Sequence, residues 1–250
     1  MTAPGGLAPL EMSVLAADGL VLKGTLAYPD RGTGPFPLAV LAHQYPATRD
    51  SFGPLVADLH QLGIATLAFD ERGHGASIQS PGGPRVIDTP VGFGVPAFAT
   101  AFMSSIQRLQ FGRIADDIVR VASWGAVQNF VDYSRLALVG ASIGGSGAIL
   151  AASNIPRLAA LATLGAAGAP AFGADGPARC RAALEAARFP VYLASSRDDP
   201  FEGATNASRW SDGLDHVTAR LVPGSAHAMA IYFEVRDELV AFFRANLAPS

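Results

Sequence analysis

The chain has 250 residues, half of them apolar, and a formal net charge of −3. That size and hydrophobicity suit one α/β domain with a large core. Lys23 is the only lysine and no basic run occurs, which argues against a phosphate-backbone partner, and a lone cysteine, Cys180, excludes an intrachain disulfide.

The opening stretch, MTAPGGLAPLE, lacks a positive segment followed by an apolar one, so no signal peptide is expected. Alternation in MSVLAADGLVLKGTLAYP predicts a hairpin turning at Asp18-Gly19. FPLAVLAH (36–43) is a near-continuous apolar run, the pattern of a strand buried on both faces. A helix follows over 51–63, ended by Gly63. IATLAFD (64–70) is the next buried strand. Residues 73–112 begin rich in Gly and Pro and become rich in Phe. Then come a helix over 116–130, a strand over 135–141 and a helix beginning IGGSGAILAAS. Strands are expected over 158–165, 189–196 and 217–224, with helices at CRAALEAA and FEVRDELVAFFRANL. Strands alternating with helices imply a mostly parallel twisted sheet covered on both faces. In such sheets ligands sit beyond the carboxyl ends of the strands. No stretch is long and apolar enough to span a bilayer.

Gly140-Ala141-Ser142-Ile143-Gly144 fits G-x-S-x-G between a strand and a helix, the context that the motif requires. A sharp strand-to-helix turn pushes the serine oxygen outward, and only small residues fit beside it. The competing structural role for Ser142 is an ordinary helix cap. A phosphate loop fits less well, because the glycines do not fall as G-x-G-x-x-G and the only lysine is far away. A serine hydroxyl needs a base, and the base needs an orienting acid. His227, in the loop after the last strand, is the expected base. His43 ends a strand and reads as a loop support, His74 lies in a turn, and His60 and His216 read as surface or packing residues. The acid comes from Asp198 or Asp199, which follow another strand. Asp199 precedes Pro200, which favours an extended backbone.

Four segments carry a family resemblance: AVLAHQYPATRDSFGPLVADL, GIATLAFDERGHGAS, LVGASIGGSGA, and SSRDDPF paired with VPGSAHAM. They resemble the α/β-hydrolase superfamily, in its small serine esterase and dienelactone-hydrolase-like branch, from about residue 12 to the end. The resemblance implies a catalytic set of Ser142, Asp199 and His227. It also implies an oxyanion hole from the backbone N–H groups of Tyr45 and Ile143. It makes Asp70 and Arg72 part of a structural turn, D-x-R-G-x-G. Gln44 stands where the family usually has glycine, so a left-handed backbone there would carry a cost. Either the loop runs differently or the Gln44 side chain fixes the loop or touches substrate. Serine in place of the cysteine of dienelactone hydrolases turns the expectation toward ordinary esters.

The chain is read as a single domain over 1–250, with a lid-like insertion at 76–112. Within it Phe98, Ala101, Phe102, Ile106 and Leu109 share one helical face, either a lid over an acyl pocket or packing on the body or another subunit. The expected function is cleavage of short to medium acyl esters through an acyl-enzyme, with Phe98, Phe102 and Gln44 touching substrate and no metal or cofactor. A thioesterase, lactonase, acyltransferase or carbon–carbon hydrolase could use the same residues. A non-catalytic binding protein on this fold is the rival of another class. A cytoplasmic location is expected, and pairing of the chain with itself stays open.

Overall fold

The structure, a computed structural model, describes residues 7–91 and 94–247. The opening residues 1–6, on which the signal-peptide expectation rests, lie outside it, as do Gly92 and Phe93 of the insertion.

Among the described residues eight strands form one sheet: β1 (Leu10–Leu15), β2 (Val21–Ala27), β3 (Phe36–Ala42), β4 (Ala65–Asp70), β5 (Val131–Ala141), β6 (Leu158–Leu164), β7 (Val191–Ser196) and β8 (Val217–Val222). Their spatial order is β1-β2-β4-β3-β5-β6-β7-β8. β1 pairs antiparallel with β2, and β2 with β4. All pairs from β4 through β3 to β8 are parallel. The expected hairpin is present, with Gly19 at φ +79° in its turn.

The central strands explain themselves by alternation. Leu38 and Val40 of β3 and Leu136 and Leu138 of β5 enter one core. Ala39 and Leu41, with Ala137 and Val139, enter the other. Each face is then closed by helices. α1 (Gly53–Gln61) and α7 (Tyr232–Asn246) cover one face; α3 (Ile114–Ala126), α4 (Ile143–Ala152), α5 (Gly176–Ala186) and α6 (Gly203–Ser211) cover the other. A fully buried leucine contributes about 2 kcal/mol by removal from water, so strands apolar on both faces define the sheet. Asp58 of α1 also accepts two hydrogen bonds of 2.7 Å from Arg236 of α7.

Two expectations need correction. The helix read over 116–130 is α3, which starts at Ile114 and stops at Ala126. Val127 is largely exposed, Phe130 has φ +66°, and β5 starts at Val131. The apolar residues after Ala126 belong to the turn and the strand, so helical spacing overran the helix. The second is α6, which was not expected. Gly203, Thr205, Asn206, Ser208 and Ser211 are weak helix formers, and only Gly203, Asn206, Ala207 and Trp210 of the helix are buried.

The insertion at 76–112 carries α2 (Val95–Leu109). Ala101, Ser105 and Leu109 are buried against the body, while Phe98, Phe102 and Ile106 are half-buried on the same side. Among the described residues no helix is long and apolar enough to cross a membrane.

Candidate active site

The sheet order reverses at β3, which lies between β4 and β5. A crevice opens at the carboxyl ends of strands on either side of such a point. The register pairs Ala42 with Gly140. The loop after β3, His43-Gln44-Tyr45, therefore starts beside the turn after β5, Ala141-Ser142.

Ser142 occupies that turn at φ +51° and ψ −119°, outside the regions that side chains favour. The strain is held by the surroundings. The Ser142 N–H donates to Leu164 O at 3.0 Å, and its carbonyl accepts from Gly145 and Ala167. A Cβ on Gly144 would sit 2.3 Å from Ala42 O, and one on Gly140 would sit 2.4 Å from Gly144 O. The motif glycines are thus required by contact with β3 and with the helix itself. All ten residues of α4 are buried. Ile143 opens this helix, so its N–H lies in the first turn, where no carbonyl four residues back is available.

Ser142 Oγ lies 2.8 Å from His227 Nε2. His227 Nδ1 lies 2.8 and 2.9 Å from the two oxygens of Asp199. An ionised carboxylate only accepts, so Nδ1 carries the imidazole proton and Nε2 is left to accept from the serine. The Asp199 side chain is fully buried. Its oxygens also accept from Ser195 Oγ at 3.0 Å and from the Phe201 N–H at 2.8 Å. Asp198 next to it is exposed. The line hydroxyl–imidazole–carboxylate is able to draw a proton from the serine and return it.

The loop after β3 is fixed by His43. The Glu71 N–H donates to His43 Nε2 at 2.9 Å, so Nδ1 carries the proton and donates to Gln44 O at 2.9 Å. Ala47 N–H donates to the same carbonyl. The peptide between Gln44 and Tyr45 is trans and planar, so its N–H points opposite to its carbonyl, away from His43. Burial holds His43 neutral, with its pKa lowered to about 4. His74 is lowered to about 3, chiefly by burial and then by His43 beside it. Gln44 is not among the residues with positive φ, so the loop runs without the left-handed turn that a glycine would allow. Its Oε1 is buried without a hydrogen-bond partner, and its side chain does not line the pocket at Ser142.

That pocket has a volume of about 330 Å³. Phe98, Phe102 and Ile106 of α2 form one wall, and Pro170, Ala171 and Phe201 face them around Ser142. The Tyr45 ring is buried, 5.3 Å from Phe98 and 5.1 Å from Phe102 between ring centres. Its O–H donates to Asp88 O in the insertion. Phe201 stands 4.7 Å from both Phe98 and His227. Phe201 escaped the sequence reading, and the available signal was its place just after Asp199-Pro200. Ser105 was also missed; its hydroxyl accepts the Asp88 N–H at 2.9 Å and ties the first part of the insertion to α2.

Arg72 is buried nearby and does different work. It donates to Asp117 at 2.7 and 3.0 Å, to Asp18 and to Leu109 O. Asp70 accepts the N–H groups of Arg49 and Ala76. Both side chains tie loops together. Among the described residues, no group of three or more His, Cys, Asp or Glu is placed to hold a metal ion.

The sheet and its order define an α/β-hydrolase fold. The chain belongs to the acetyl xylan esterase (AXE1) family, whose family model matches residues 11–165. A 31.7 kDa uncharacterized protein of the traX-finO intergenic region of Escherichia coli is 30% identical over 123 residues, 49% of this chain. The chain spans only 34% of that relative's length. Solved structures with the same fold include dienelactone hydrolase from Anabaena variabilis, 20% identical with a TM-score of 0.64 over 96% of this chain and 99% of that one. The esterase domain of a Rhodothermus marinus protein is 16% identical with a TM-score of 0.66, covering 96% and 99%. Est1E from Butyrivibrio proteoclasticus is 16% identical with a TM-score of 0.64, covering 94% and 97%.

Proposed function

We propose that the protein is a serine esterase that cleaves short to medium acyl esters through an acyl-enzyme. The observation that carries this reading is the 2.8 Å contact between Ser142 Oγ and His227 Nε2, in line with buried Asp199. As Oγ attacks the ester carbonyl, His227 takes its proton, and Asp199 stabilises the imidazolium. The oxyanion forms against the N–H groups of Tyr45 and Ile143, each contributing about 3 kcal/mol in the transition state. His227 returns the proton to the leaving alcohol. Water then attacks the acyl group with His227 as base, and Ser142 is released. Each step is carried by groups of this chain.

The family includes acetyl esterases by its description, and an acetyl group would leave most of a pocket of about 330 Å³ unfilled. That room supports acyl chains longer than acetyl. We assign the insertion 76–112 as a lid within a single domain, with Phe98 and Phe102 touching the acyl chain. Its support is that α2 supplies a wall of the pocket at Ser142.

The test is hydrolysis of p-nitrophenyl acetate and butyrate by wild type and Ser142→Ala. The variant is expected to lose turnover by about 10⁴-fold or more while keeping its melting temperature. Turnover within tenfold of wild type in a folded Ser142→Ala protein defeats the assignment.

A further inference from the structure

Apart from Ser142 itself, the side chains around the pocket are apolar except at one place. Of the described residues that line it, Glu202 alone bears a formal charge, and neither lysine nor arginine is among them. Among the described residues no cation is ion-paired with Glu202.

The backbone fixes where this side chain leaves the main chain. Glu202 has φ +68°, a conformation that glycine adopts freely and glutamate does not. On one side, the Phe201 N–H is bound to Asp199 Oδ1. On the other, the Glu202 carbonyl accepts the Asn206 N–H at 2.9 Å. The next residue cannot back away either, since a Cβ on Gly203 would lie 2.5 Å from both Asp199 Oδ2 and Ser195 Oγ. The segment is jammed against the triad acid, and a residue with a strained backbone is kept at the pocket wall. Strain retained beside a site is a pointer to function.

We propose that Glu202 selects substrates by charge: the enzyme takes neutral or cationic esters and discriminates against esters whose acyl group carries a carboxylate. The proposal rests on the esterase reading. An anionic acyl group entering this pocket meets a like charge and finds no cation to pair with, whereas an ammonium finds a partner. Glu202 is exposed, so water and salt weaken the effect and the discrimination is about fivefold to tenfold at low salt.

The experiment compares kcat/KM at 20 mM and 500 mM NaCl for three esters: p-nitrophenyl butyrate, mono-p-nitrophenyl succinate and p-nitrophenyl 4-(trimethylammonio)butyrate. Wild type is expected to disfavour the succinate about fivefold to tenfold relative to butyrate at low salt, and the gap narrows at high salt. Glu202→Gln raises the succinate-to-butyrate ratio about fivefold, and Glu202→Lys inverts the order of succinate and ammonium esters. If butyrate is hydrolysed in a Ser142-dependent way but the ratios are the same in wild type and both variants, the charge-reading role is wrong and the esterase reading stands. If no ester is hydrolysed, or Ser142→Ala retains turnover, both fall together.

Discussion

Around Ser142, an imidazole and a carboxylate come from the loops after β8 and β7 and meet a hydroxyl from the turn after β5. Around Arg72, a guanidinium from the turn after β4 meets Asp117 of α3 and Asp18 of the hairpin turn. Both groups gather ionisable side chains at one edge of the sheet, and both are hydrogen-bonded throughout. They differ in access. Ser142 and Phe201 line a pocket, whereas Arg72 is 1% exposed and all three of its nitrogens donate within the protein. Similar chemistry thus stands open to a ligand in one place and is closed into tertiary structure in the other.

The contrast is broken most sharply at Arg72. Arg72→Ala strands Asp117 in the interior and should cost about 3–5 kcal/mol of stability. Urea unfolding reads the loss, and turnover per folded molecule stays near wild type. A midpoint unmoved by Arg72→Ala would mean that the network contributes nothing.

His43 joins the two regions, since it is buried like the structural group but orients the loop proposed to bind the oxyanion. His43→Ala should lower kcat by about 10²-fold with KM within about threefold. His43→Asn, which retains an N–H donor toward Gln44 O, should recover part of that loss. Equal kcat in all three proteins removes His43 from the positioning role.

Acid sharpens the comparison further. His43 and His74 stay neutral in the fold, to about pH 4 and about pH 3, but the unfolded chain protonates them near 6.5. The unfolded state then binds more protons, so stability falls as pH drops below 6.5, by up to about 1.4 kcal/mol per pH unit for each histidine. Glu71 acts the other way. Burial raises its carboxyl well above the usual range, so the fold binds a proton there that the unfolded chain releases. Two histidines outweigh one glutamate between pH 6.5 and 4.5. His74→Phe should remove about half of the histidine slope, as read by urea midpoints across that window.

The smallest effect belongs to the pocket wall. Replacing Phe98 and Phe102 by Ala should shift relative kcat/KM between acetate and hexanoate esters by about fivefold to tenfold, with little change in melting temperature. Loss of activity on every ester in step with stability would make α2 a packing element only.

Much of this architecture was legible in the sequence because the central strands are buried on both faces. β3, β4 and β7 read as apolar runs that no surface element could sustain. The elbow was legible because contact with β3 leaves glycine no substitute at 144. What stayed hidden depends on contacts between distant segments. α6 is held by burial of Ala207 and Trp210 against spacing too sparse to announce a helix. The choice between Asp198 and Asp199 is a matter of exposure, which neighbours in sequence do not reveal. Nothing in the structure explains why residue 44 is glutamine.

Tyr45 has its ring packed against the phenylalanines of α2 and its main chain on the loop that His43 orients. If the esterase reading holds, an acyl chain that displaces those phenylalanines presses their rings on Tyr45. On the proposed reading, overlong substrates would then be penalised twice, once in seating and again in the alignment of the amide proposed to receive the developing negative charge.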